Sequence, residues 1–85
     1  MSSVKTYLAH GFDEAIIGME CMGEAPRVVY STKLMIDILI NRDGMTEDEA
    51  IEFLDFNVIG SYLGEGTPLY VNEMTAEDIR NYEFD

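Results

Sequence analysis

The chain is poor in basic residues: 5 Lys and Arg stand against 17 Asp and Glu, a formal net charge of −12 over 85 residues. That balance disfavours direct binding to nucleic acid, whose phosphates repel carboxylates and are neutralised by Lys and Arg. It leaves three uses for the charge: a basic protein surface, a metal ion, or solubility alone. Cysteine is nearly as scarce. Cys21 stands alone, so no internal disulfide staples the fold, and a reducing, intracellular setting is the simpler expectation. Its apolar neighbours predict a buried, inert thiol. His10 is the one histidine, with no Cys at ligand spacing, which argues against a metal or catalytic role. No apolar run approaches the roughly 20 residues of a membrane span, and the first residues lack the apolar core of a secretory signal. Long Pro/Gly/Ser linkers and internal repeats are also missing, so one small domain is expected.

What is present is a hydrophobic fraction of 47%, too high for disorder. Residues 1–11 read as a loose lead-in and 12–85 as a single domain. "AIIGMECM" (15–22) reads as a strand, with a helix as its rival because Ala, Met and Glu favour helices. "GEAP" (23–26) is turn material, and "RVVYS" (27–31) is β-branched and aromatic, a second strand that closes a hairpin. Ser31 or Thr32 caps a helix over "KLMIDILINRD", and Gly44 ends it. A second helix runs from Thr46 to about Tyr62 or Leu63. "TPLYV" (67–71) makes a third strand, at a sheet edge because of Pro68. Thr75 opens a short last helix. The fold class is therefore α+β: an antiparallel sheet of about three strands with two main helices on one face, in the order β-β-α-α-β.

The stretch "NRDGMTEDEAIEFLD" (41–55) has the acids and glycine of a calcium loop. A helix–loop–helix calcium site puts its glycine at position 6, acids at 1, 3 and 5, and Glu at 12. With Gly44 at position 6, Leu39 falls at 1 and Ala50 at 12, and the reading fails. The stretch is one helix stopping and another starting: Thr46 with Glu49 forms a capping box, and Glu47 and Asp48 suit the positive end of the helix dipole. No metal or cofactor is expected. "GMECMG" and "GEG" lack the lysine of a phosphate loop and dinucleotide-site spacing. Carboxylates are too abundant for any one pair to mark an acid–base site.

The helix faces carry more information. At about 100° per residue, Asp48, Glu52 and Asp55 share one stripe of the second helix, a candidate partner-binding surface. Ala50, Leu54 and Val58, flanked by Ile51 and Phe53, form the core side. Beyond them the helix is apolar nearly all round, with Phe56, Ile59 and Tyr62, so its C-terminal half is expected deep in the domain. The first helix is also over-supplied, with Leu34, Met35, Ile36, Ile38, Leu39 and Ile40. Surplus apolar surface needs another chain. Self-association as a homodimer is therefore expected, with Ile36, Ile40, Ile59 and Leu63 as its contact positions.

The phrases "RDGMTEDEAIEFLDFN" and "GSYLGEGTP", within residues 12 to 71, resemble a group of short, uncharacterised proteins encoded by tailed bacteriophages. The resemblance implies a context, an accessory protein in the cytoplasm of an infected bacterium, and carries over no functional residue. The leading expectation is a non-enzymatic protein-binding module acting on a basic host or phage protein. Its rivals are a nucleic-acid mimic that blocks a DNA-binding protein, and a small enzyme with a carboxylate site. Phosphate-like spacing of carboxylates would favour the former, a deep pocket with converging polar groups the latter.

Overall fold

The computed structural model describes residues 5–60 and 63–82. A 3-10 turn (Asp13–Ala15) leads into strands β1 (Ile16–Glu20) and β2 (Arg27–Ser31). Helix α1 (Thr32–Asp43), helix α2 (Glu47–Leu54) and a wider π-type turn (Asp55–Ile59) follow, then strand β3 (Leu69–Val71) and helix α3 (Ala76–Arg80). The expected α+β order is present, and the strand reading of residues 15–22 prevails over the helical one.

The sheet differs from the expected antiparallel one. Its order is β1-β2-β3, with β1 antiparallel to β2 but β3 parallel to it. The tight connection after Glu20 can only reverse the chain. The connection from Thr32 to Pro68 carries the chain back to the side where β2 began, and parallel pairing requires a crossover of a dozen or more residues. Pro68 precedes an edge strand, where its missing N–H costs no ladder bond.

The caps follow local chemistry. Ser31 accepts a hydrogen bond from the Leu34 amide at 3.2 Å, filling the first orphan donor of α1. Gly44 ends α1 in the left-handed region at φ 72°, and its amide donates to the Ile40 carbonyl at 3.2 Å. Thr46 and Glu49 close the expected capping box, with the Thr46 amide donating to Glu49 Oε1 at 2.9 Å and the Glu49 amide to Thr46 Oγ1 at 3.2 Å. Thr75 and Asp78 repeat it on α3. The second helix stops short of the expected Tyr62 or Leu63: its regular α part ends at Leu54 and its helical path at Ile59, and Tyr62 lies outside the described residues. At Gly60 a Cβ would come within 3.0 Å of the Asp55 carbonyl, so glycine lets the chain turn away close against the preceding turn.

Inside, β2 presents Val28 and Tyr30 to Met35 and Leu39 of α1 and to Ala50 and Leu54 of α2, with Phe12 and Ala15 closing one end. Met35 and Leu39 lie one helical turn apart, as do Ala50 and Leu54, which is how each helix turns one stripe to the sheet. Val58 and Phe53 pack partly buried at the margin, while Ile51 is 44% exposed.

The lead-in is not loose over its described part, residues 5 to 11. The Ala9 amide donates to the hydroxyl of the fully buried Tyr30 at 2.8 Å, and Tyr7 to the Gly66 carbonyl at 3.1 Å. Arg42 reaches from α1 to the Gly11 carbonyl at 2.7 Å and lies over the Phe12 ring at 5.6 Å. A Cβ at Gly66 would overlap the Lys5 carbonyl, so the glycine is what lets the two backbones meet. Buried backbone groups need partners, and here the domain supplies them to the lead-in.

Candidate functional site

The sequence placed its candidate partner surface on α2. Asp48, Glu52 and Asp55 are all exposed. Among the described residues the ion pairs are Lys33–Asp37 at 3.7 Å and Arg42–Asp43 at 3.0 Å, and none of the three takes part in one. Glu52 lines a groove of about 370 Å³ together with Asp43, Gly44, Met45, Glu49, Phe53, Phe56 and Asn57, whereas Asp48 and Asp55 do not.

This groove is built by local events. Gly44 and the capped start of α2 turn Asp43, Met45 and Glu49 towards one another. The π-type turn begins directly after Leu54, and π turns recur at functional sites because they re-aim side chains. Asn57 Nδ2 donates to the Phe53 carbonyl at 3.2 Å, the group that a regular α-helical Asn57 amide would have bonded. Phe56 is left 79% exposed, which corrects the expectation that this half of the helix is buried. The domain has too little chain to cover it. Met45 and Phe53, both half-buried, floor the groove with apolar surface.

The electrostatics are simple. The hydrogen bond from Arg42 holds the Asp43 carboxyl below its ordinary range, and the same bond raises the Arg42 guanidinium. Glu49 spends one oxygen on the Thr46 amide. Glu52 has no such partner among the described residues. A phenyl face beside unpaired carboxylates is suited to a Lys or Arg side chain, held by ring and carboxylate together.

The residues expected to drive self-association separate. Ile36 and Ile40 are half-buried and packed against the core. Ile59 and Leu63 are 39% and 52% exposed. Ile36 borders a groove of about 420 Å³ beside Met74 and Tyr82, and Leu63 a different one of about 360 Å³ with Leu8, His10 and Tyr70. Ile36 and Leu63 therefore border different grooves. Cys21, expected buried, is exposed in the hairpin connection. His10 is exposed on the lead-in. Among the described residues no group of three or more His, Cys, Asp and Glu could hold a metal ion, and no helix is long and apolar enough to cross a membrane.

No protein-family model, curated protein or solved structure matches the chain.

Of that site, sequence reasoning found Glu52 and missed Phe56, Met45, Asp43 and Glu49 as its neighbours. The available signal was the apolar excess at the end of α2, next to acids one turn away.

Proposed function

We propose that this protein is a small, acidic, non-enzymatic protein-binding module that docks a basic partner through the Phe56 groove. The observation that carries the reading is Phe56 itself, 79% exposed on the rim of a groove also lined by Asp43, Glu49 and Glu52. Single exposed apolar residues are common on protein surfaces, so the weight of Phe56 lies in its neighbours. Beside Glu52, which makes no ion pair among the described residues, it offers a cation the face of a ring and a carboxylate at once, and aromatic anchors of this kind carry a large share of binding energy in protein interfaces. The net charge of −12 would speed encounter with a basic surface. The resemblance to phage accessory proteins supplies the setting, a host or phage protein in the cytoplasm of an infected bacterium. Self-association belongs to the same reading, with Ile59 and Leu63 as the exposed members of the expected set.

The test is comparative capture from host lysate with wild-type and Phe56→Ala baits, followed by identification of what is retained. The wild type should hold a basic protein that Phe56→Ala and Glu52→Gln release, with both variants melting as the wild type does. Equal retention by all three baits, or repeated absence of any retained protein, overturns the proposal. Sedimentation of the wild type at rising concentration decides the homodimer.

A further inference from the structure

A second surface is independent of the Phe56 groove. Strand β1 is an edge strand, bonded to β2 on one side and with no strand neighbour on the other among the described residues. An open edge presents a row of unpaired amides and carbonyls, and proteins normally blunt such edges with Lys, Pro or inward-pointing charge. β1 has none of these between Ile16 and Met19. Ile16, Ile17 and Met19 are 39%, 39% and 54% exposed, and Met22, just past the strand, is 94% exposed. Gly18 leaves open space where a side chain would stand, with nothing within 4 Å of its Cβ position. A glycine inside a strand often marks where another backbone comes close. The one protective feature is a bulge between Ile16 and Gly18, and the regular pairing of Gly18, Met19 and Glu20 with β2 lies beyond it.

The ends of this edge say what fits it. Asp13 and Glu14 precede the strand, and Glu20 and Glu24 close it. None makes a direct ion pair with Lys or Arg among the described residues, although Glu14 lies close enough to Arg42 for the guanidinium to feel its charge; Asp13, Glu20 and Glu24 carry the selectivity. A second copy would bring the same acids against these. We propose that β1 accepts an extended segment of a partner protein as a fourth strand, one with apolar alternate residues in its middle and Lys or Arg at both ends. Backbone hydrogen bonds to the free edge of β1 would give the affinity, and contact with Ile17, Met19 and Met22 with the flanking charges would give the selectivity.

The test uses three synthetic peptides of about ten residues, the length of a long strand. The first alternates valine and threonine between paired lysines, the second carries glutamates in place of the lysines, and the third is the lysine peptide with alternate backbone amides methylated. Amide hydrogen exchange of residues 16–22 and peptide affinity are followed by NMR. The lysine peptide should slow exchange along β1 about tenfold or more, while the glutamate and methylated peptides bind at least about tenfold more weakly. In Asp13→Lys/Glu24→Lys, with both positions exposed, the preference between the lysine and glutamate peptides should shrink or reverse. The proposal is overturned if β1 amides exchange equally with and without the lysine peptide, or if the lysine and glutamate peptides bind alike. It is also overturned if β1 is protected without any peptide in proportion to protein concentration, since a second copy then holds the edge.

Discussion

Replacing Tyr30 by Phe isolates the bond that ties the N-terminal segment to the domain. Tyr30 is fully buried and stacks on Tyr70 with ring centroids 5.8 Å apart. Tyr30→Phe keeps the ring and that stack and removes only the hydroxyl that accepts the Ala9 amide at 2.8 Å. A buried donor left without an acceptor costs about 1–3 kcal/mol, against about 0.5–1.5 kcal/mol for an average bond lost with water able to replace it. Ala9 is half-buried, so water reaches part of the freed amide and about 1 kcal/mol is expected. In a domain of this size that lowers Tm by about 4–8 °C. Hydrogen exchange gives the sharper readout. The amides of Ala9 and Tyr7, the latter bonded to the Gly66 carbonyl, should exchange about fivefold faster, the factor that 1 kcal/mol represents. The Ile79 amide, bonded to Thr75 within α3, should not change. An unchanged Tm with unchanged Ala9 exchange refutes the tether, and a uniform rise across the chain means that Tyr30 acts on global stability alone.

Further expectations bear on other parts of the fold. Thr46→Ala breaks the α2 capping box and should cost about 1 kcal/mol in chemical denaturation, with Thr46→Ser recovering most of it. Gly66→Ala forces a methyl into the Lys5 carbonyl and should cost about 1–3 kcal/mol, read as a lower denaturation midpoint with faster exchange at Tyr7. Burial first, and then the neighbouring Tyr30, push the Tyr70 phenol up. A raised acid binds its proton more tightly in the folded state, so its contribution is full below the unfolded-state value of about 10 and is lost as pH rises above it. The alkaline limb of the stability curve should accordingly be shallower in Tyr70→Phe. Ile40→Glu puts a charge against the core and should cost about 2–3 kcal/mol, whereas Ile59→Glu should stay within about 1 kcal/mol, so only the second can test self-association without loosening the fold.

What could be read from the sequence was what neighbouring residues decide. Ser31, the Thr46–Glu49 box and the left-handed Gly44 act over three to five positions, and each appears where its chemistry predicts. The alternation of Val28 and Tyr30 across "RVVYS" gave β2 its buried face in the same way. The parallel direction of β3 was hidden because it depends on the path of the whole Thr32–Pro68 connection, which carries no pairing signal of its own. The lead-in was misread for a similar reason. Its partners are Tyr30, Gly66 and Arg42, all distant in sequence, and a tyrosine that bonds an amide from the core looks like any tyrosine in a strand. At the candidate site, Glu52 was legible from helical spacing. Phe56 was not, because an apolar residue on a helix reads as core unless the supply of covering chain is counted.

That count also bears on the charge. Of the few basic residues, Arg27 donates to the Thr67 carbonyl at 2.6 Å and Arg42 to the Gly11 carbonyl. Both therefore serve the connections between segments, and Arg42 neutralises only its neighbour Asp43. Lys33 is taken up by Asp37 on α1. Among the described residues, Asp48, Glu52 and Asp55 on α2 and its following turn, and Asp13, Glu20 and Glu24 about β1, make no direct ion pair, and at physiological salt their field is felt over only about 8 Å. Within that distance of each acidic group lies uncovered apolar surface: Phe56 beside Glu52 in one groove, Met19 beside Glu20 on the sheet edge. Charge alone would favour any cation, and apolar surface alone any hydrophobe. On the proposed reading, the two together would select a partner that offers both at strand or side-chain spacing and would penalise nucleic acid, whose phosphates meet the carboxylates first.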